Sequence, residues 1–279
     1  ESADINTFLT EEIANLSTKQ VVALQTDQLR ALSTSSQFQV LESDDFANMT
    51  LAQVQSLSTS QIAQLTTGSS GQLQALTPPV VNNLSTSQVA ALSSSQAGSL
   101  SNAAIFNMST DRVAVLAVNG FSTGQLGQLS ATQAGALTTS QLVSLNTTQL
   151  SSLSTAQLAG LSTSQLQSLV ATTQVGALTN SQLASLTTAS VASLLTTQIA
   201  NLGTSQVQAL TTAQVQSLTT DQVAALSSTK LDSMELADVV VLTTAQLAAV
   251  SSEKFGTFST DQVRALTTAQ VASLSTDQV

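Results

Sequence analysis

Residues 137 to 169, LTTSQLVSLNTTQLSSLSTAQLAGLSTSQLQSL, restate one eight-residue phrase four times. A period of eight restricts the fold more than any other feature of this chain. One continuous helix cannot use it: eight residues at about 100° each return about 80° out of phase and spread the recurrent Leu around the circumference. With that Leu as position 1, the unit reads Leu, Ser/Thr, Thr/Ser, variable, Gln, Val/Leu/Ile, variable, Ala/Ser. Position 1 runs from Phe8 through Leu16, Leu24 and Leu32, then Leu84, Leu92 and Leu100, then Leu129 to Leu169 and Leu178 to Leu274. Met49, Met108, Met234, Val250 and Phe258 keep the phase. The register slips near Ser35, in TTGSSGQ (66 to 72), in AVNG (117 to 120) and at Val170. The expected organisation is a single octapeptide-repeat solenoid over 1–279, with irregular units near 33–46, 66–83 and 117–121.

The helix must therefore stop and restart in every unit, and the unit carries the signals for doing so. Ser or Thr at position 2 followed by Gln at position 5 is a capping box: the hydroxyl accepts the N3 amide and the Gln reaches back to the N-cap amide. Position 1 is then N′ and position 6 is N4, the pair that forms a hydrophobic staple. Asp27, Asp111, Asp221, Asp261 and Asp277 at position 4 fall at N2, where the helix dipole favours negative charge. Helices this short do not survive alone, so the units must stack and bury positions 1 and 6. The fold expected is all-α, a solenoid or superhelix of short capped helices, one per repeat. A β-solenoid is the competing reading, because Thr, Val and Ser suit strands; abundant Leu, Gln and Ala and the scarcity of Gly and Asn at turns weigh against it. Pro78 and Pro79 sit early in their unit, where a missing N–H is tolerated, and mark a distorted unit.

Composition removes most chemistry. There is no His, Cys, Trp or Tyr, so a Ser-His-Asp triad, a Cys nucleophile and common zinc sites are excluded, and no enzyme is expected. The many Ser and Thr are accounted for by capping. Six basic residues in a chain of net charge -10 leave no patch to neutralise phosphates, so nucleic acid is not expected as a partner. No run of about 18 apolar residues exists, which excludes a transmembrane helix. The segment ESADINTFLT lacks the basic and apolar regions of a signal peptide, so an exported form would begin after its signal.

Two acidic clusters depart from the repeat, LESDDF at 41 to 46 and KLDSMELADV at 230 to 239. Glu42, Asp44 and Asp45, or Asp232, Glu235 and Asp238, offer oxygens of the kind Ca²⁺ takes. Neither matches an EF-hand loop, and the repeat itself puts acids at helix N-termini or on a solvated face. The expectation is no metal and no cofactor. GSSG at 68 to 71 has neither the Lys nor the preceding strand of a phosphate loop and reads as an insertion.

The phrases ALTTAQVQSLTTDQVAALSS (209 to 228) and RALTTAQVASLSTDQV (264 to 279) resemble the LTTAQ-type tandem repeats of very large bacterial secreted and surface proteins. Those proteins are often labelled adhesin-like or haem-utilisation-like. The resemblance implies an extracellular structural or adhesive role and carries over no site residues; haem ligation lacks His, Cys and Tyr here. The last unit stops in mid-octad at Val279, leaving a core layer to be covered by more chain or by a second copy stacked head to tail. The expected function is thus a filament subunit or stalk segment of a bacterial surface adhesin. The alternative is a module presenting repeated Ser, Thr and Gln to ice or polysaccharide, with surface glycans as partners.

Overall fold

The computed structural model describes residues 5–279. Among them the chain forms α-helices of four to six residues, one per regular octad, and no strand. The α reading therefore holds and the β-solenoid does not. Each helix starts and stops as the repeat dictates. The helix Thr212–Ser217 has Thr211 as N-cap, whose hydroxyl accepts the Gln214 N–H. It ends at Leu218 (φ -57°, ψ 142°), and Thr219 (φ -71°, ψ 161°) is the N-cap of the next helix, Thr220–Ala225. Two successive extended residues thus redirect the chain between helices. Left-handed backbone is not needed, which explains the shortage of Gly and Asn: among the described residues only Gly68 has positive φ, at 107°.

The chain forms two compact units, Glu1–Leu137 and Thr138–Val279, each built on the same plan. The core is a double row. Position 6 is sealed, with Leu150, Leu158, Val215 and Val223 at 0% exposure, and position 1 lies just outside it, with Leu153 and Leu161 at 3% and 5%. Burying such a side chain contributes about 1.5–3 kcal/mol, which a helix of one and a half turns cannot gain on its own. Within the second unit each helix packs on the one three octads later: Thr188–Ser193 on Thr212–Ser217, and Thr196–Ala200 on Thr220–Ala225.

The irregular octads bend rather than break this plan. At 33–40 the extra residue replaces the helix by turns. The insertion at 66–72 loops out through Gly68, and the capping contacts close across it: the Thr66 N–H donates to Gln72 Oε1 (3.2 Å) and the Gln72 N–H to Thr66 Oγ1 (3.1 Å). The two prolines occupy the first positions of a four-residue helix, Pro78–Val81, as expected of a distorted unit. AVNG becomes a 3₁₀ turn, Val118–Gly120, pressed onto the helix Ser94–Ser99. The extra residue at Val170 is absorbed as a π-helical turn, Ala171–Val175, the usual form of a one-residue helical insertion.

Candidate functional site: a ladder of buried glutamines

The most repeated chemistry in the molecule is the glutamine at position 5. Its oxygen does what the capping box requires, and its nitrogen does something more. The Thr211 N–H donates to Gln214 Oε1 (2.8 Å), while Gln214 Nε2 donates to the carbonyls of Leu183 (2.9 Å) and Leu186 (2.7 Å). Those carbonyls lie at positions 6 and 1 of earlier octads, at the C-terminal end of the helix Asn180–Ala184, where no intrahelical donor reaches. One side chain therefore satisfies the start of its own helix and the end of another, one turn of the array earlier. Gln222 repeats the pattern on Leu194 (2.7 Å) and Val191 (3.2 Å) at 1% exposure, and in the first unit Gln61 does so on Leu29 (2.8 Å) at 0%.

The separations fix the coil. In regular stretches the amide reaches back 31 and 28 residues, as Gln214 does, so a turn holds between three and four octads. Across the three residues inserted at 66–72 the same contacts span 34 and 31, from Gln96 to Ile62 and Leu65. Across the five-residue unit at 116–120 they span 28 and 25, from Gln133 to Ile105 and Met108. Across Val170 they span 32 and 29, from Gln174 to Leu142 and Leu145. Each length change is passed on unchanged, and the partners stay the same. The array counts octads, not residues.

In three octads where a basic residue replaces the position-5 glutamine, the side chain still donates to an upstream carbonyl. Arg112 Nε donates to the Leu84 carbonyl (2.6 Å), Lys254 Nζ to that of Ala224 (2.5 Å), and Lys230 Nζ to that of Ala200. Burial pulls the Lys230 ammonium below its usual range. Amide, guanidinium and ammonium share one property, an N–H donor. Conversely, the hydroxyl half of the box is dispensable: the N–H groups of Leu195 and Gly203 donate to Gln198 (2.9 Å) and Gln206 (2.7 Å) without any N-cap hydroxyl. Sequence reasoning from capping alone missed this second role. The available signal was the preference for Gln over Glu, since a capping box and a helix dipole favour Glu equally or more at N3.

The acidic clusters occupy capping positions. Glu42 is an N-cap, Asp44 lies in the first turn, and Asp45 Oδ2 accepts the Glu42 N–H (2.8 Å). Glu235 is the N-cap of the helix Leu236–Val241, with Asp238 at N3, and Asp232 ends the preceding helix. Among the described residues no three such groups come together in a way that could hold a metal ion. Asp238 stands in the glutamine socket at 3% exposure; burial, reinforced by the neighbouring Glu235 carboxylate, pushes its pKa up to about 6. No described helix is long and apolar enough to cross a membrane.

A comparison with curated proteins yields no match. The ALTTAQ repeat, in contrast, matches residues 1–34, 38–68, 69–102, 191–228, 231–268 and 252–279, more than half of the chain. These segments carry the same position-5 glutamines and buried Leu rows described above, and the chain belongs to the ALTTAQ repeat family.

Proposed function

We propose that this chain is a structural element of a bacterial surface assembly, a filament subunit or stalk segment of an adhesin, which works by stacking one turn of octads on the next. The observation that carries the reading is the direction of the glutamine ladder. Every turn presents amide donors on one side and helix-end carbonyls on the other, so any turn is complementary to a further copy of itself. Gln20 and Gln28 bind their own N-cap amides through Oε1, but their Nε2 groups donate to nothing among the described residues. Carbonyls of a stacked turn would accept both.

The test is electron microscopy of producing cells and of the purified chain over a range of concentrations. Fibres with a regular axial repeat on the cell surface, and fibres from purified protein that are lost in a Gln20→Leu/Gln28→Leu variant, are the expected result. A chain that fractionates with the cytosol and stays dispersed at every concentration would overturn the proposal.

A further inference from the structure

The octad that begins at Leu100 carries Ala104 at position 5, where the octad before it carries Gln96. Gln96 receives the Ser93 N–H on its oxygen (2.8 Å) and donates to the carbonyls of Ile62 (2.9 Å) and Leu65 (2.9 Å). Moved on by one octad, the corresponding groups are the Ser101 N–H and the carbonyls of Leu73 and Leu76. At that place the structure has a cavity of about 400 Å³ whose wall includes Leu73, Leu76, Ser101 and Ala104. Among the described residues the Ser101 N–H and the Leu76 carbonyl make no hydrogen bond, and the Leu73 carbonyl accepts only the Leu76 N–H at 3.3 Å.

We propose that the cavity beside Ala104 is a binding site for a primary carboxamide, with its nitrogen on the Leu73 and Leu76 carbonyls and its oxygen on the Ser101 N–H. Two independent observations select this chemistry. Equivalent position-1 carbonyls elsewhere in the chain are engaged by N–H donors: the amides of Gln53 and Gln88 on Leu24 and Leu57, and the guanidinium of Arg112 on Leu84. The open N–H of Ser101 asks in addition for an acceptor on the same ligand, which an ammonium or guanidinium lacks and a carboxamide supplies. The atoms that separate alanine from glutamine beyond Cβ are those of acetamide, so the site is a glutamine side chain's own mould. Pro78 and Val81 in the same wall are apolar and leave room for a short aliphatic tail. The assignment rests on hydrogen-bond register and does not depend on the surface-assembly reading.

The test is a titration of the ¹⁵N-labelled chain with butyramide, followed by amide NMR shifts. The Ser101 amide should move along a saturable curve with a midpoint on the order of 10 mM, as suits so small a ligand. N,N-dimethylbutyramide keeps the acceptor but has no N–H, and should bind at least tenfold more weakly. Ala104→Gln, which restores the consensus octad, should abolish saturation. Equal curves for the two amides, or a Ser101 shift that is linear and the same in the Ala104→Gln variant, would overturn the proposal.

Discussion

A buried glutamine that bridges two helix ends is the residue on which stacking depends. In Gln214→Leu the side chain keeps its bulk, but the Thr211 N–H and the Leu186 carbonyl lose their partner, while the Leu183 carbonyl keeps only the Leu186 N–H (3.1 Å). An unsatisfied buried group costs about 1–3 kcal/mol, so urea unfolding should register a loss of roughly 2 kcal/mol or more. Gln214→Lys should lose less, because a lysine in this socket donates to an upstream carbonyl, as Lys254 does; equal losses for the two variants would contradict the donor requirement. Asp238 supplies a pH test. Its folded-state pKa, about 6, lies above the ordinary 3.8, so its contribution to stability is fully present below pH 3.8 and is lost as pH rises through about 6. The melting-temperature advantage of Asp238→Gln over the native chain should therefore grow between pH 4 and pH 7, and a constant difference would contradict this. The oxygen's role was legible in the spacing of position 2 and position 5. The nitrogen's role was not, because its partners lie about 30 residues away and depend on how the coil closes.

An octad is a helix whose boundaries are local and whose stability is not. Caps, staple and buried positions were readable from the unit, since each depends on neighbours within eight residues. How the chain absorbs insertions was less readable, because capping alone does not say which contact is kept when one must give. The structure keeps the glutamine. Deleting Gly68, Ser69 and Ser70 would leave LTTGQLQA, a regular octad, with Thr66 and Gln72 already in capping contact. That deletion should leave thermal stability unchanged or raised, since it shortens a loop; a loss of more than about 1 kcal/mol would show that the insertion itself is structural. Glycine matters at one crossing. A Cβ on Gly120 would lie 1.8 Å from the Ser94 carbonyl oxygen, and one on Gly98 would lie 2.3 Å from the Gly120 oxygen. Gly120→Ala should therefore cost about 3 kcal/mol, at the upper end of overpacking penalties, as measured by denaturant unfolding. A near-neutral result would mean that the two backbones are not in contact.

For the whole molecule, stability is the sum of octads that cannot fold alone and contacts that run from turn to turn. The period of eight dictated a stack of short helices, but the number of octads per turn was hidden until the amide donors found their carbonyls. Stacking of turn on turn depends on those donors being buried and occupied. The most direct measurement is hydrogen exchange of the individual glutamine side-chain amides by NMR. Nε2 protons of Gln61, Gln96, Gln214 and Gln222, each within 3.0 Å of an upstream carbonyl, should exchange orders of magnitude more slowly than those of Gln20 and Gln28. Exchange of all of them at one free-amide rate would contradict the ladder and the stacking built on it.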